Sequence, residues 1–167
     1  MSKSIFLLDA NVLIEAHKRY YSFDIAPAFW SAAKQNAQVG KILSIDRIQQ
    51  ELNEYADDDH LKTWANTEFS EWFLSTQHDD IFMAYAEVMS WATEQGQFTE
   101  GAKAEFAEVA DGWLVACAKA RNFVVVTHEV YNEQVKNRIP IPNVCRALNV
   151  PHINTFEMLR RLNVKLG

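Results

Sequence analysis

Short unbroken apolar runs alternate along the chain with longer stretches whose apolar positions recur every three to four residues. Ile5, Phe6, Leu7 and Leu8 form one such run, as in a strand buried on both faces of a parallel sheet. Residues 11–17 read as a short helix, and the aromatic tract Tyr20-Tyr21-Ser22-Phe23-Asp24 follows. Pro27 opens a helix that carries Phe29 and Trp30 and runs through Val39, where Gly40 ends it. Residues 41–44 suit a second strand, with Ser44 placed to cap a helix over 45–55. Within that helix Ile48, Leu52 and Tyr55 form one stripe. The acidic run Asp57-Asp58-Asp59 breaks the pattern, and helix resumes to about Trp72. Two more helices are expected over 81–91 and 100–106, with Gln95-Gly96-Gln97 between them. After Asp111, residues 112–120 carry a single charge, Lys119; a helix apolar nearly all round is buried. Phe123-Val124-Val125-Val126 is the clearest strand, continuous and β-branched. Pro140 and Pro142 punctuate a loop, 152–154 form a last short strand, and 156–162 a final helix. Few, short strands separated by helices predict a helix-rich α/β fold with a small central parallel sheet, as one domain over residues 1–167.

The formal charge of -6 over 167 residues argues against a protein that grips phosphates with Lys and Arg alone. It is compatible with a metal nuclease, whose clustered carboxylates keep the site acidic until cations fill it. Cys117 and Cys145 form no CxxC unit, so both read as reduced thiols, Cys117 buried in its helix. The apolar run ending at Asp9 is too short for a signal peptide or a membrane span, and a cytoplasmic protein is expected. There is no GxxxxGK[ST] loop, GxGxxG fingerprint or GxSxG elbow.

The carboxylates are the informative chemistry. Active sites of open parallel sheets form at the carboxyl ends of the strands. Asp9 stands directly after the first strand, and Glu129 just after the Phe123–Val126 run, on Thr127-His128-Glu129. Asp111 starts the buried helix that leads into that strand, and Glu51 lies at the edge of the Ile48, Leu52, Tyr55 stripe. Such a set suits a hard divalent cation, Mg²⁺ or Mn²⁺, which prefers oxygen ligands and supplies what phosphodiester hydrolysis needs. Each residue also has a plainer use. Asp9 and Asp111 are good helix caps, Glu51 suits a solvated helix face, and Glu129 suits a loop.

At this point the residues resemble PIN domains. Leu7-Leu8-Asp9-Ala10-Asn11 is similar to that family's opening strand, Asp, any residue, Asn. Gln50-Glu51-Leu52 resembles its second acidic position, and the Asp111 helix with its alanines resembles the third. Val125-Val126-Thr127-His128-Glu129 resembles the fourth, although PIN domains usually carry Asp where Glu129 stands, so this carboxylate reaches one methylene further. The aromatic tract after the first helix resembles a PIN-like branch of formerly unknown function. The resemblance covers nearly the whole chain and implies a three-layer α/β/α fold. It also implies a Mg²⁺- or Mn²⁺-dependent ribonuclease of the VapC toxin type, cytoplasmic, with an RNA substrate, a cognate antitoxin and often a homodimer. Asp9, Glu51, Asp111 and Glu129 would then be catalytic and metal-binding. Asn11 would act behind them, holding a carboxylate or a water, although a hydrogen bond at the helix start is an equal use for it.

Thr127 is placed to hydrogen-bond Asp9 or a metal-bound water, or merely to end a strand. Lys18, Arg19, Tyr20 and Tyr21 are candidates for phosphate contact and base stacking, against the alternative that the aromatics are core. His128 suits a place beside the site, but reads more simply as a solvent-exposed loop residue. Two other functions compete. One is a catalytically silent PIN fold that binds protein. The other is a phosphatase or phosphotransferase with Asp9 as nucleophile, which would want an acid where Asn11 stands.

Overall fold

The structure, a computed structural model, describes residues 4–55 and 59–167. The expected break at Asp57 and Asp58 lies outside the described residues. Five short strands, β1 (Phe6–Leu8), β2 (Ile42–Ile45), β3 (Phe73–Leu74), β4 (Val124–Val126) and β5 (His152–Ile153), form one sheet in the order β3-β2-β1-β4-β5. Every pairing is parallel, with Leu7 opposite Leu43 on one side and Val125 on the other. The central strands β1 and β4 are wholly buried, which is why their sequences carry no polar alternation.

Nine helices among the described residues surround the sheet: α1 (Ala10–Glu15), α2 (Pro27–Gln38), α3 (Asp46–Glu54), α4 (Asp59–Thr67), α5 (Asp79–Glu94), α6 (Glu100–Glu108), α7 (Asp111–Arg121), α8 (Ile141–Ala147) and α9 (Thr155–Arg161). The α2 helix stops as its sequence predicts. Gly40 takes φ +78°, its N–H bonds to Ala37 O, and the Lys41 N–H bonds to Asn36 O, closing the last carbonyls in a Schellman turn. Helix α7 packs chiefly on α5. A methyl group on Gly112 would stand 3.2 Å from the Tyr85 ring and 3.3 Å from Phe106, so the missing side chain permits that approach. No helix among the described residues is long and apolar enough to cross a membrane.

Four expectations need correction. Ser44 is not a helix cap: it lies inside β2, and its buried hydroxyl donates to Leu8 O at 2.7 Å. The first turn of α3 is instead held by Asp46, whose carboxylate accepts the Arg47 N–H and both the N–H and hydroxyl of Thr76. The helix expected to reach Trp72 ends at Thr67; a 3-10 turn, Ser70–Trp72, leads into the edge strand β3. The Pro140–Pro142 segment is not only loop, because Pro140 caps α8 and Pro142 lies in its first turn, where a missing N–H costs nothing. The first helix continues past Glu15 as a π-helical turn, Ala16–Tyr20, closed by the Tyr21 N–H on Ala16 O.

The loop between β4 and α8 is tied down along its length. The Asn143 side chain accepts the Asn132 N–H and donates to the Asn132 carbonyl. Thr99 N–H reaches Lys136 O, and Gln97 donates to the carbonyls of Glu133 and Val135. Cys117 and Cys145 are buried free thiols, and burial pushes both up to about 12.

Candidate active site

The chain runs outward from β1 to β2 to β3 on one side and from β4 to β5 on the other. The switch point therefore falls between β1 and β4, where the loops diverge and leave a crevice at the carboxyl edge. Asp9 follows β1 and Thr127 follows β4 directly. Asp9 is buried, 2% exposed, and its carboxylate accepts the Thr127 hydroxyl at 2.9 Å. The same hydroxyl oxygen accepts the Glu129 N–H at 3.1 Å. One threonine thus orients the first carboxylate and the backbone of the last.

Asp111 opens α7, and its neighbour is held from across the fold: Ala110 N–H donates to Glu51 Oε1 at 3.1 Å. Glu129 Oε1 accepts the first N–H of α8, from Ile141, at 3.2 Å, and lies 3.5 Å from the Arg138 guanidinium. The extra methylene of Glu129 therefore spans to a helix N-terminus.

Asp9 and Asp111 lie within electrostatic reach of each other and of both Glu51 and Glu129. Burial, then the charge of Glu129 and more weakly Glu51, lifts Asp9 from 3.8 to about 7 against the Thr127 hydrogen bond. Burial, then Asp9, Glu129, Glu51 and Glu105, lifts Asp111 well above the usual carboxylate range. Glu51 and Glu129 are also raised, chiefly by burial, against the backbone hydrogen bonds each accepts. Among the described residues no Lys, Arg or His pairs with Asp9, Glu51 or Asp111; the Arg138 contact with Glu129 is the cluster's ion pair. An all-carboxylate donor set that resists ionisation fits a hard divalent cation in charge and in chemistry. No three acidic, His or Cys side chains among the described residues already converge on one cation position, since Glu51 and Glu129 are engaged by backbone N–H groups.

A family model described as "Domain of unknown function (DUF4411)" matches residues 6–166. The chain belongs to the DUF4411 family. No curated protein matches it. Two solved structures share its fold with a TM-score of 0.55 each. FitAcB from Neisseria gonorrhoeae is 18% identical, covering 91% of this chain and 99% of that one. VapBC2 from Rickettsia felis, bound to a DNA fragment from their promoter, is 14% identical, covering 90% and 98%. The DUF4411 chain thus has the PIN-like fold that its acidic motifs resemble.

The other expected residues divide. Asn11 is exposed on the first turn of α1, and no hydrogen bond among the described residues ties it to the cluster. Tyr21 stacks on buried Phe29 at 4.6 Å, and its carbonyl accepts the Trp30 Nε1–H, so it joins the core. Tyr20 turns the other way and is 49% exposed. The Lys18 ammonium lies 4.9 Å from the Tyr55 ring centre, and exposed Arg19 pairs with Glu15. His128 is not a free loop residue: it is half-buried and shares a 3.0 Å hydrogen bond with Thr155. Sequence reasoning missed Glu105 and Arg138, which line a cavity of about 80 Å³ with Asp111, Glu129, Phe106 and Ile139. Neither belongs to a motif; only the tied-down loop and the α6–α7 corner bring them there.

Proposed function

We propose that this DUF4411 chain is a Mg²⁺- or Mn²⁺-dependent endoribonuclease and the toxin of a toxin–antitoxin pair. The observation that carries the reading is the buried, repelling pair Asp9 and Asp111 at the switch point, with Glu51 and Glu129 beside it and, among the described residues, no cation of the protein's own on either aspartate. Such a pair is costly to build unless a ligand of opposite charge belongs there.

Asp9 and Asp111 would hold the cation, with Glu51 and Glu129 completing its surroundings directly or through water. The cation would neutralise the cluster, polarise a phosphoryl oxygen and ease both proton loss from the attacking water and departure of the 3′ oxygen. Thr127 holds Asp9 in one orientation. Glu51 fixes the start of α7 through Ala110, and so the place of Asp111. The product expected is a 5′-phosphate.

The likeness to VapBC2 bound to promoter DNA supports a cognate antitoxin as partner. One observation favours a catalytically silent binding module instead: Glu51 and Glu129 each already accept a backbone N–H. The deciding experiment is cleavage of a total RNA pool by the purified chain with Mn²⁺, with EDTA, and with Asp111→Asn. Cleavage that needs both metal and Asp111 supports the enzyme. Cleavage that survives EDTA, or leaves a 2′,3′-cyclic phosphate, overturns the mechanism, and no cleavage by folded, antitoxin-free protein favours the silent module.

A further inference from the structure

Next to the carboxylates, along the same edge of the sheet, lies a group of aromatic rings that the core does not absorb. The carboxyl ends of β1, β4 and β5 stand side by side, with β4 in the middle. Asp9 leaves β1, Thr127 and His128 leave β4, and Thr155 and Phe156 follow β5. Neighbouring strands lie about 4.8 Å apart, so the strand end that carries His128 adjoins the one that carries Asp9.

Three rings meet there. Tyr20 lies 5.6 Å from His128 and 5.4 Å from Phe156, edge to face with the latter, and His128 lies 5.9 Å from Phe156. The bond to buried Thr155 fixes the imidazole. All three rings keep exposed surface, Tyr20 most of all. The neighbouring aromatics differ: Phe29, Trp30, Trp64 and Phe69 are buried and pack on one another, Trp30 edge to face with Phe29 and Trp64, and Trp64 stacked on Phe69. The π-helical turn makes the division, since Tyr20 swings outward while Tyr21, the next residue, stacks into the core. Such widened turns are energetically poor and recur at functional sites.

Cations flank the rings although the chain is acidic overall. Arg19 precedes Tyr20, and Arg160 stands one helical turn beyond Phe156 on α9. Their partners, Glu15 and Glu157, are held through exposed ion pairs, which contribute little and can be exchanged for phosphate oxygens.

We propose that Tyr20, His128 and Phe156 form a stacking site for an unpaired nucleobase of single-stranded RNA, one strand along from the carboxylate cluster. The proposal rests on the ribonuclease reading for its choice of polymer. A base laid on the open face of Tyr20 would hold the strand along the edge of the sheet from which Asp9 also leaves. A base in a duplex is already covered on both faces, so the site selects unpaired segments.

The test is binding of labelled oligoadenylate to the full chain by fluorescence anisotropy in EDTA, where metal-dependent cleavage is silent, with an RNA duplex in parallel. Stacking is worth about 1–3 kcal/mol per base, so Tyr20→Ala should weaken oligoadenylate binding roughly 5- to 150-fold. Tyr20→Trp should bind at least as tightly as the wild type, and duplex affinity should not change. Equal oligoadenylate binding by wild type and Tyr20→Ala, failure of Tyr20→Trp to restore binding, or no binding by the wild type would each overturn the proposal. An effect on a protein partner with RNA binding untouched would also overturn it and assign the rings to that partner. The nuclease reading fails separately, if cleavage proves independent of Asp111 while the Tyr20 effect on binding stands.

Discussion

The Thr127 hydroxyl donates to Asp9 at 2.9 Å while its oxygen accepts the Glu129 N–H at 3.1 Å. A single side chain at the end of β4 joins the first and last acidic positions across 120 residues of sequence. Thr127→Val keeps the shape and removes both bonds. Loss of such a supporting group at metal sites typically costs about 10–100-fold in metal affinity or activity, and that loss is expected here, with a stability change of about 1–2 kcal/mol. Metal titration calorimetry and denaturant unfolding measure the two; unchanged metal affinity would remove Thr127 from the site.

Asp111→Asn should abolish more activity than Thr127→Val and yet raise the melting temperature in EDTA at pH 8. The wild-type carboxyl is held well above its ordinary range by burial and by its acidic neighbours, so ionising it opposes folding. A neutral amide avoids that cost. A gain of about 2–4 °C corresponds to about 1 kcal/mol for a chain of this size. A lower melting temperature would show that Asp111 supports the fold and not a cation.

Stability without divalent ions should fall as pH rises from about 4 through 7. Asp9 keeps its proton to about 7 in the fold, against about 4 in an unfolded chain. Between those values the folded chain binds more protons than the unfolded one, so its contribution is full below about pH 4 and lost above 7. Mg²⁺ competes with those protons and should raise the melting temperature at pH 8 far more than at pH 5. Equal shifts at both values would exclude Asp9 and Asp111 as the groups that bind it.

Ser44→Ala tests the sheet and not the chemistry. It removes the buried bond from β2 to the end of β1, and the orphaned Leu8 carbonyl should cost about 1–3 kcal/mol. Metal affinity should stay within about 3-fold of wild type, because Asp9 keeps Thr127. Calorimetric melting and metal titration together decide this.

Those parts of the fold that bury both faces were legible. β1 and β4 announce themselves as Phe6-Leu7-Leu8 and Val124-Val125-Val126, and the carboxylates that follow them, Asp9 and Glu129, could be named with them. What was missed lacks a local signal. Phe73 and Leu74 make a two-residue edge strand, too short to show any period. Ser44 is a favoured helix cap, and only the carbonyl of Leu8, from another strand, turns it inward. Pro142 looks like a breaker unless it falls in a first helical turn. Glu105 and Arg138 reach the carboxylates, and Phe156 reaches His128, through chain folding that no motif records.

β4 lies inside the sheet, between β1 and β5, although it comes late in the chain. A growing polypeptide that has delivered Asp9, Glu51 and Asp111 still has no place to hold them, because β1 lacks its neighbour and Asp9 lacks Thr127. The cluster cannot assemble until the segment that carries β4 and Glu129 has cleared the ribosome. On the proposed ribonuclease reading, the chain is therefore inactive toward RNA for most of its synthesis, and the order of strands acts as a clock on when that activity first appears.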